Sequence, residues 1–375
     1  MEKTSTAYTP TLLVAAETTI RRERRLPLPG EVRVAVGDQV AAEQVVAATA
    51  LPGRVSAVNV ARELNLPPGE IEKWVLKKPG DAVEYNEPLA EYKSFFGFFR
   101  SQALSPAAGT LEAISAVTGQ ALIRGPSLPV ELKAYVSGTV VETQANEAVT
   151  IECTCALVQG ILGVGGEAYG QLVILARSPD ETLLPAALTP EHAGKIVVGG
   201  AHLDWAVLGR AREVGVSAIV VGAMQAADLD RLLGAPLGVA ITGHENLGLT
   251  LVLTEGFGSI PMAGETYDLL QAHAGEQASL NGATQIRAGV LRPEVIVPLR
   301  GESGRETPPA SGRLEIGSRV RMVREPSFGR LGSVTGLPPE PQTIPTEATV
   351  RVLQARLDSG EQVTVPRANV ELIER

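Results

Sequence analysis

PGEVRVAVGDQVAAEQVVAAT, Pro29 to Thr49, reads as apolar residues alternating on either side of a Gly37-Asp38 turn. A period of two marks strands with one buried face, and a Gly-Asp pair marks the reversal between them. KKPGDAVEYNEPLAEY, Lys77 to Tyr92, repeats the arrangement: Gly80-Asp81, then Val83 and Leu89. SPAAGTLEAIS (Ser105 to Ser115) and YVSGTVVE (Tyr135 to Glu142) add two more turn-then-strand units. Regular Gly, Pro and Asp punctuation between short alternating runs predicts an all-β unit. Between the first two units, NVARELNLPPGEIEKWV (Asn59 to Val75) predicts a short helix, a Pro-Pro-Gly break and a second helical piece.

The succession of G-D-x-V, an apolar stretch and S-P-x-x-G over roughly residues 29 to 145 resembles the barrel-sandwich hybrid of biotinyl and lipoyl domains. That resemblance implies the same barrel fold. It would imply a carrier or electron-transfer role only with a modifiable lysine in an M-K-M or D-K-A context. The comparable stretch, AEYKSFFGFFRSQALSP, offers Lys93 beside Phe95, Phe96, Phe98 and Phe99 without that context. The aromatic cluster is expected to pack on a neighbouring domain or to face a partner.

VQGILGVGGEAYGQLVIL (Val158 to Leu175) carries five glycines, but a strand-like QLVILA follows where a dinucleotide loop needs a helix. It reads as a wide glycine turn between strands, with Glu167 at its tip disfavouring an anion. From Lys195 onward the period changes. Strand-like KIVVGG, VSAIVVG, LGVAITG and LTLVLTEGFG alternate with helical stretches at Leu203 to Gly215, Ala226 to Gly234 and Glu265 to Gly275. Such alternation predicts a small α/β layer with a mostly parallel sheet. Ligands on such sheets bind beyond the carboxyl ends of the strands. The candidate ligand residues are therefore Gly199, Gly200, His202, Gly243, His244, Glu245, Glu255, Gly256 and Gly258, with Arg287 as an anion contact from the following segment. No H-E-x-x-H helix or G-x-S-x-G elbow is present, and Cys153 and Cys155, spaced C-x-C without a second pair, read as buried thiols. No metal site, cofactor or catalytic residue is assigned, and the reading leans away from an enzyme.

RGESGRETPPASG (Arg300 to Gly312) is the clearest linker. After it, LEIGSRVRMVREPSFGRLGSVTGL (Leu314 to Leu337) resembles a KOW motif, completed by alternating strands to Glu374 into an SH3-like barrel of about sixty residues. The resemblance implies contact with RNA, ribosomal or transcription components, or with a protein. The candidate contacts are Arg319, Arg321, Arg324, Phe328 and Arg330. Residues 313 to 375 hold nine arginines and eight acids, too even a balance to choose between RNA and protein.

The fold expected is thus a multidomain, β-rich α+β chain. Residues 1–180 form a barrel-sandwich-hybrid-like domain with a helical insertion near 59–75, and residues 190–299 an α/β domain. A linker spans 300–312, and an SH3-like barrel 313–375. The function expected first is a non-catalytic adaptor. The alternatives are ligand binding or catalysis in the α/β crevice, with the barrel as lid, and a carrier or electron-transfer accessory. The 375 residues carry a net charge of -9 and no apolar run near the roughly 18 residues that span a bilayer, so no membrane is expected. With no signal-like start, the expected location is the cytoplasm.

Overall fold

The computed structural model describes residues 11–94, 99–234, 242–243, 245, 247–285, 291–299, 314–324, 326–327, 330–344 and 349–374. The linker at 300–312, His244, Arg287, Phe328 and the aromatic tip Phe95 to Phe98 lie outside these residues. Strand accounts for 47% of the chain and helix for 15%, organised around a large mixed sheet, so the β-rich α+β class holds.

The N-terminal half is built twice, one copy inside the other. In the outer copy, strand Val45–Leu51 pairs antiparallel with Leu128–Lys133. In the inner copy, Pro88–Ser94 pairs with Phe99–Leu104. The first strands are offset by 43 residues (45 to 88) and the second by 29 (128 to 99). The same offsets carry the turns. The Asp38 carboxylate accepts the Ala35 amide at 2.8 Å, and Asp81 accepts the Lys78 amide at 2.7 Å. The Gly37 amide donates to the Val140 carbonyl and Gly80 to Leu111, both at 2.8 Å. Both glycines sit near φ +97°, where a side chain is strained. Val46 and Leu89, matched by the offset, are both fully buried.

The inner copy occupies the hairpin tip of the outer one. It opens with Val55–Asn59, continues through α1 (Val60–Leu64) and a 3-10 turn, Pro68–Trp74, and ends with Gln120–Arg124. Its first and last strands pair, Val55 opposite Arg124, just beyond the outer pair Leu51 and Leu128. The two connecting segments cross at Gly53 and Gly125. A Cβ on Gly53 would lie 2.0 Å from the Gly125 carbonyl oxygen.

No sheet boundary falls between residues 180 and 190. Strand Glu167–Ile174 pairs antiparallel with Gln277–Asn281, and its end pairs in parallel with Ile196–Val198. The parallel layer continues through Ala218–Met224 to Thr250–Phe257. On one face lie α2 (Trp205–Val214) and α3 (Ala226–Leu233), burying Val207, Leu208, Ala211, Leu229 and Leu232. On the other lie α4 (Gly264–Ala272), through Tyr267 and Leu270, and a second sheet, through Val158, Val295 and Val297. The Asp204 side chain caps α2 by accepting the Val207 amide at 2.9 Å, whereas Ala263 at the head of α4 supplies no acceptor.

The C-terminal strands Arg319–Met322, Leu331–Gly336, Val352–Leu357, Gln362–Pro366 and Val370–Glu374 form an antiparallel sheet around Val320, Val334, Leu353 and Leu372. It is not an isolated tail. Its last strand runs parallel to the start of the N-terminal strand Thr11–Arg25, with Thr11 to Leu13 opposite Leu372 to Glu374. The remainder of Thr11–Arg25 pairs with Ala148–Gln159 in the main sheet.

Gly138 and Gly109 hold equivalent positions in the two copies, and a Cβ on either would fall 2.0 Å or 2.1 Å from a carbonyl oxygen across the sheet. Gly138→Ala and Gly109→Ala are each expected to cost about 1–3 kcal/mol of stability, the usual range for overpacking. Gly69→Ala, where a Cβ meets nothing, is expected to stay within about 0.5 kcal/mol. Urea denaturation of the three variants checks the ordering.

Candidate functional site

The strongest electrostatic feature joins two parts of the chain that the sequence suggests are separate. Arg321, flanked by Val320 and Met322, lies on a strand covered on both faces. Its Nη2 donates to a Glu255 carboxylate oxygen, and its Nη1 donates to the Thr254 carbonyl at 3.2 Å. The side chains are 4% and 1% exposed. The other Glu255 oxygen accepts the Ala263 amide at 2.9 Å, just before α4. Glu371, on the last strand, lies 3.9 Å from Arg321 and accepts a hydrogen bond from Arg292 Nη2. Burial pushes the Glu371 carboxyl above its ordinary range, outweighing the pull of Arg292 and Arg321.

This geometry relocates the C-terminal candidates. Arg321 is 3% exposed, so it is not a surface contact for a phosphate. Arg319 is held bidentately by Asp358 at 2.7 Å and 2.9 Å, and Arg330 by Glu361 at 2.7 Å. Arg324 is exposed.

Among the strand-end candidates, Gly199 and Gly200 do not border open space. A Cβ on Gly200 would lie 2.2 Å from the Glu181 carbonyl oxygen, and one on Gly199 meets Leu183. The chain's own 178–183 segment fills that end of the crevice. His202 Nδ1 is 2.9 Å from the Gly258 carbonyl, and Gly256 and Gly258 turn the chain at positive φ. Glu245 accepts the amides of Gly165 at 3.0 Å and Gly243 at 2.8 Å. The glycine turn therefore does cradle an anion, and the anion is the protein's own carboxylate.

Open space remains at the end of Thr250–Phe257. A cavity of about 340 Å³ lies between the first turn of α4 and the C-terminal sheet. Thr254, Gly264, Thr266 and Asp268 form one wall, and Arg319, Arg321, Leu331 and Asp358 form the roof. Leu12 and Val14 of the N-terminal strand and Ile373 of the last strand supply the apolar side. The sequence pointed to Glu255, Arg319 and Arg321 one by one, but assigned them to two different sites. Alpha-4's first turn, Leu12 and Ile373 carried no signal, because only the parallel pairing of the chain ends brings them together.

Two other clusters have their partners within the chain, the first buried and the second at the surface. Cys153 and Cys155 are buried in the core under the outer copy, beside Ile151 and Leu157. Lys93 is ion-paired with Glu91 at 2.8 Å, and Arg100 with the same carboxylate at 2.6 Å. Lys93 and Arg100 together hold the Glu91 carboxyl down to about 2. Among the described residues, no three His, Cys, Asp or Glu side chains gather as a metal site, and no helix is long and apolar enough to cross a membrane. No protein-family model and no curated protein matches the chain.

Arg321→Met is expected to cost about 3–5 kcal/mol, because it leaves Glu255 buried without its guanidinium, while Glu371 keeps Arg292. Arg321→Met combined with Glu255→Leu is expected to cost less than Arg321→Met alone, as read by denaturant unfolding. Glu371 gives a pH signature of definite sign. Its folded pKa lies above the ordinary 4.5, so above that value the native state holds a proton that the unfolded chain has released. Stability therefore falls as pH rises from 4.5 through the raised value. Glu371→Gln is expected to remove that slope, as measured by urea midpoints from pH 4 upward.

Proposed function

We propose that the protein binds a small ligand in the cavity at the end of Thr250–Phe257, with the C-terminal sheet as its roof. One observation carries this reading. The cavity of about 340 Å³ has walls from four distant segments: the N-terminal strand, the parallel layer, α4 and the C-terminal sheet. It borders Thr250–Phe257 at Thr254, in the carboxyl-terminal half, close to where α/β sheets bind ligands. Its size falls in the range of small-molecule sites, about 300–1,000 Å³. On this reading the roof is an SH3-like barrel of the KOW type, used as a lid. The nested N-terminal copies are a pair of barrel-sandwich hybrids, and the location is the cytoplasm.

The adaptor reading draws support from a different surface. Val36, Leu76, Tyr85 and Val117 in the N-terminal copies are 61%, 57%, 66% and 88% exposed. Large apolar side chains that stay in water suit a protein partner better than RNA. The pairing of Arg319, Arg321 and Arg330 with acids also occupies three of the cations that RNA contact by the C-terminal sheet would use, leaving Arg324 exposed.

Gly264 gives a clean test. It lines the cavity, and a Cβ there meets nothing within 4 Å, so a side chain fits without moving the backbone. Gly264→Phe is expected to fold with a melting temperature no lower than the parent and to fill the cavity mouth. A small-fragment screen of the full chain by ligand-observed NMR is expected to yield compounds whose binding Gly264→Phe abolishes. If every compound bound by the parent is bound equally by the variant, the cavity is not a ligand site.

A further inference from the structure

Resting on the ligand reading, we infer that the cavity takes an uncharged molecule: a branched aliphatic body that carries a carboxamide. The charges of the wall, its free hydrogen-bonding groups and its apolar side each point to that class.

The charged groups are already answered from within the chain. Asp358 holds Arg319 at 2.7 Å and 2.9 Å, and Glu255 holds Arg321. Glu265 also has a partner. The remaining acid, Asp268, is exposed, so water already meets its charge. A carboxylate or phosphate entering here would leave water for a wall whose two arginines are both engaged. An ammonium would have to stay at the mouth, with Asp268. Burying a charge without a counter-charge is costly, whereas a neutral polar group needs only a hydrogen bond.

The hydrogen-bonding groups left over are neutral. Thr266 is 4% exposed and lines the cavity, and among the described residues its hydroxyl has no hydrogen-bond partner. A hydroxyl both donates and accepts. Gln159, at the end of Ala148–Gln159, lines the same space. Its Oε1 accepts the Leu13 amide at 3.1 Å. That bond identifies the other arm of the side chain as the NH2 group, which has no partner among the described residues. The wall thus offers one donor and one group that can do either. A carboxamide complements both: its carbonyl oxygen accepts from Gln159 Nε2, and its own NH2 donates to the Thr266 hydroxyl. A polar group shut away unpaired is costly, and the ligand relieves that cost.

The apolar side is formed by Leu12, Val14, Leu331 and Ile373. It favours a branched hydrocarbon body through the area removed from water. The volume of about 340 Å³ holds one such molecule.

Three probes with one hydrocarbon body and different head groups separate these contributions by calorimetric titration of the full chain at neutral pH. 4-Methylpentanamide is neutral, 4-methylpentanoate is an anion, and 4-methylpentan-1-amine is a cation. The amide is expected to bind about tenfold or more tightly than either ion, since neither ion meets a free counter-charge inside. Thr266→Val removes the hydroxyl and keeps the shape. It is expected to weaken the amide about three- to tenfold, the worth of one neutral hydrogen bond, and Thr266→Ser to restore the affinity. Equal or tighter binding of the acid or of the amine overturns the neutral assignment. Unchanged amide affinity in Thr266→Val overturns the part given to the hydroxyl, as does a Thr266→Ser variant that binds no better than Thr266→Val. Failure of all three probes, while other fragments still bind in a Gly264→Phe-sensitive manner, overturns the ligand class and leaves the cavity reading standing. Absence of any Gly264→Phe-sensitive fragment removes both.

Discussion

A buried guanidinium fixes how this chain closes. Arg321 sits on the C-terminal sheet, and the carboxylate that neutralises it, Glu255, sits on the parallel layer. Stranding either charge alone in a dry interior costs several kcal/mol. The sheet therefore has one acceptable docking position, the one that brings Arg321 to Glu255. Glu255 has a second duty, accepting the amide that precedes α4, so the same carboxylate sets the start of that helix. Glu371 and Arg292 extend the network to the last strand. The cavity lies beside this network, where the two layers meet through charged groups and a helix terminus, with Leu12, Val14, Leu331 and Ile373 along one side.

The nested N-terminal copies obey a different constraint, that of chain connectivity. A unit can be inserted into a hairpin tip only if its own ends lie as close together as the strands it separates. Here the inner copy begins and ends on paired strands, Val55 opposite Arg124, and the outer hairpin stops at the paired residues Leu51 and Leu128. Antiparallel partners are about 5 Å apart, so the inner copy joins without stretching either strand. The crossing needs room for two backbones side by side. Gly53 and Gly125 supply it, and their Pro neighbours, Pro52 and Pro126, restrict the exits.

Features whose cause is local were legible in the sequence. Helices α2, α3 and α4 and the strands Ala218–Met224 and Thr250–Phe257 follow from periodicity over ten or so residues, whereas the strand expected at LGVAITG lies almost wholly outside the described residues. Helix α2 even announces its cap in Asp204 and its stop in Gly215. The Gly-Asp turns at 37–38 and 80–81 follow from the positive φ they require. The nesting was present only as an offset: Gly37 and Gly80 are 43 apart, and so are Val46 and Leu89. Sequence order hides it, because the second half of the outer copy follows the whole inner one. The pairing of the chain ends left no local signal at all, since parallel partners 361 positions apart, Thr11 and Leu372, share no motif.

The arginines of the C-terminal sheet show why local charge misleads. Arg319, Arg321 and Arg330 lie within a dozen residues, so they read as a basic patch. Each has its acid elsewhere: Asp358 and Glu361 on the following hairpin turn, and Glu255 some sixty-six positions upstream. Counting charge along the chain weighs neighbours in sequence, whereas screening and desolvation act between neighbours in space. One detail in the sequence does distinguish Arg321 from a surface cation. It stands between Val320 and Met322 on a strand whose other apolar positions fill the small core of the C-terminal sheet. An arginine in the centre of such a strand faces the side opposite the core, and in a chain that folds back on itself that side is the surface another layer will cover. The basic stretch is thus one half of an internal contact, and its acidic half lies at the end of a parallel strand, where a ligand site would otherwise stand open to solvent.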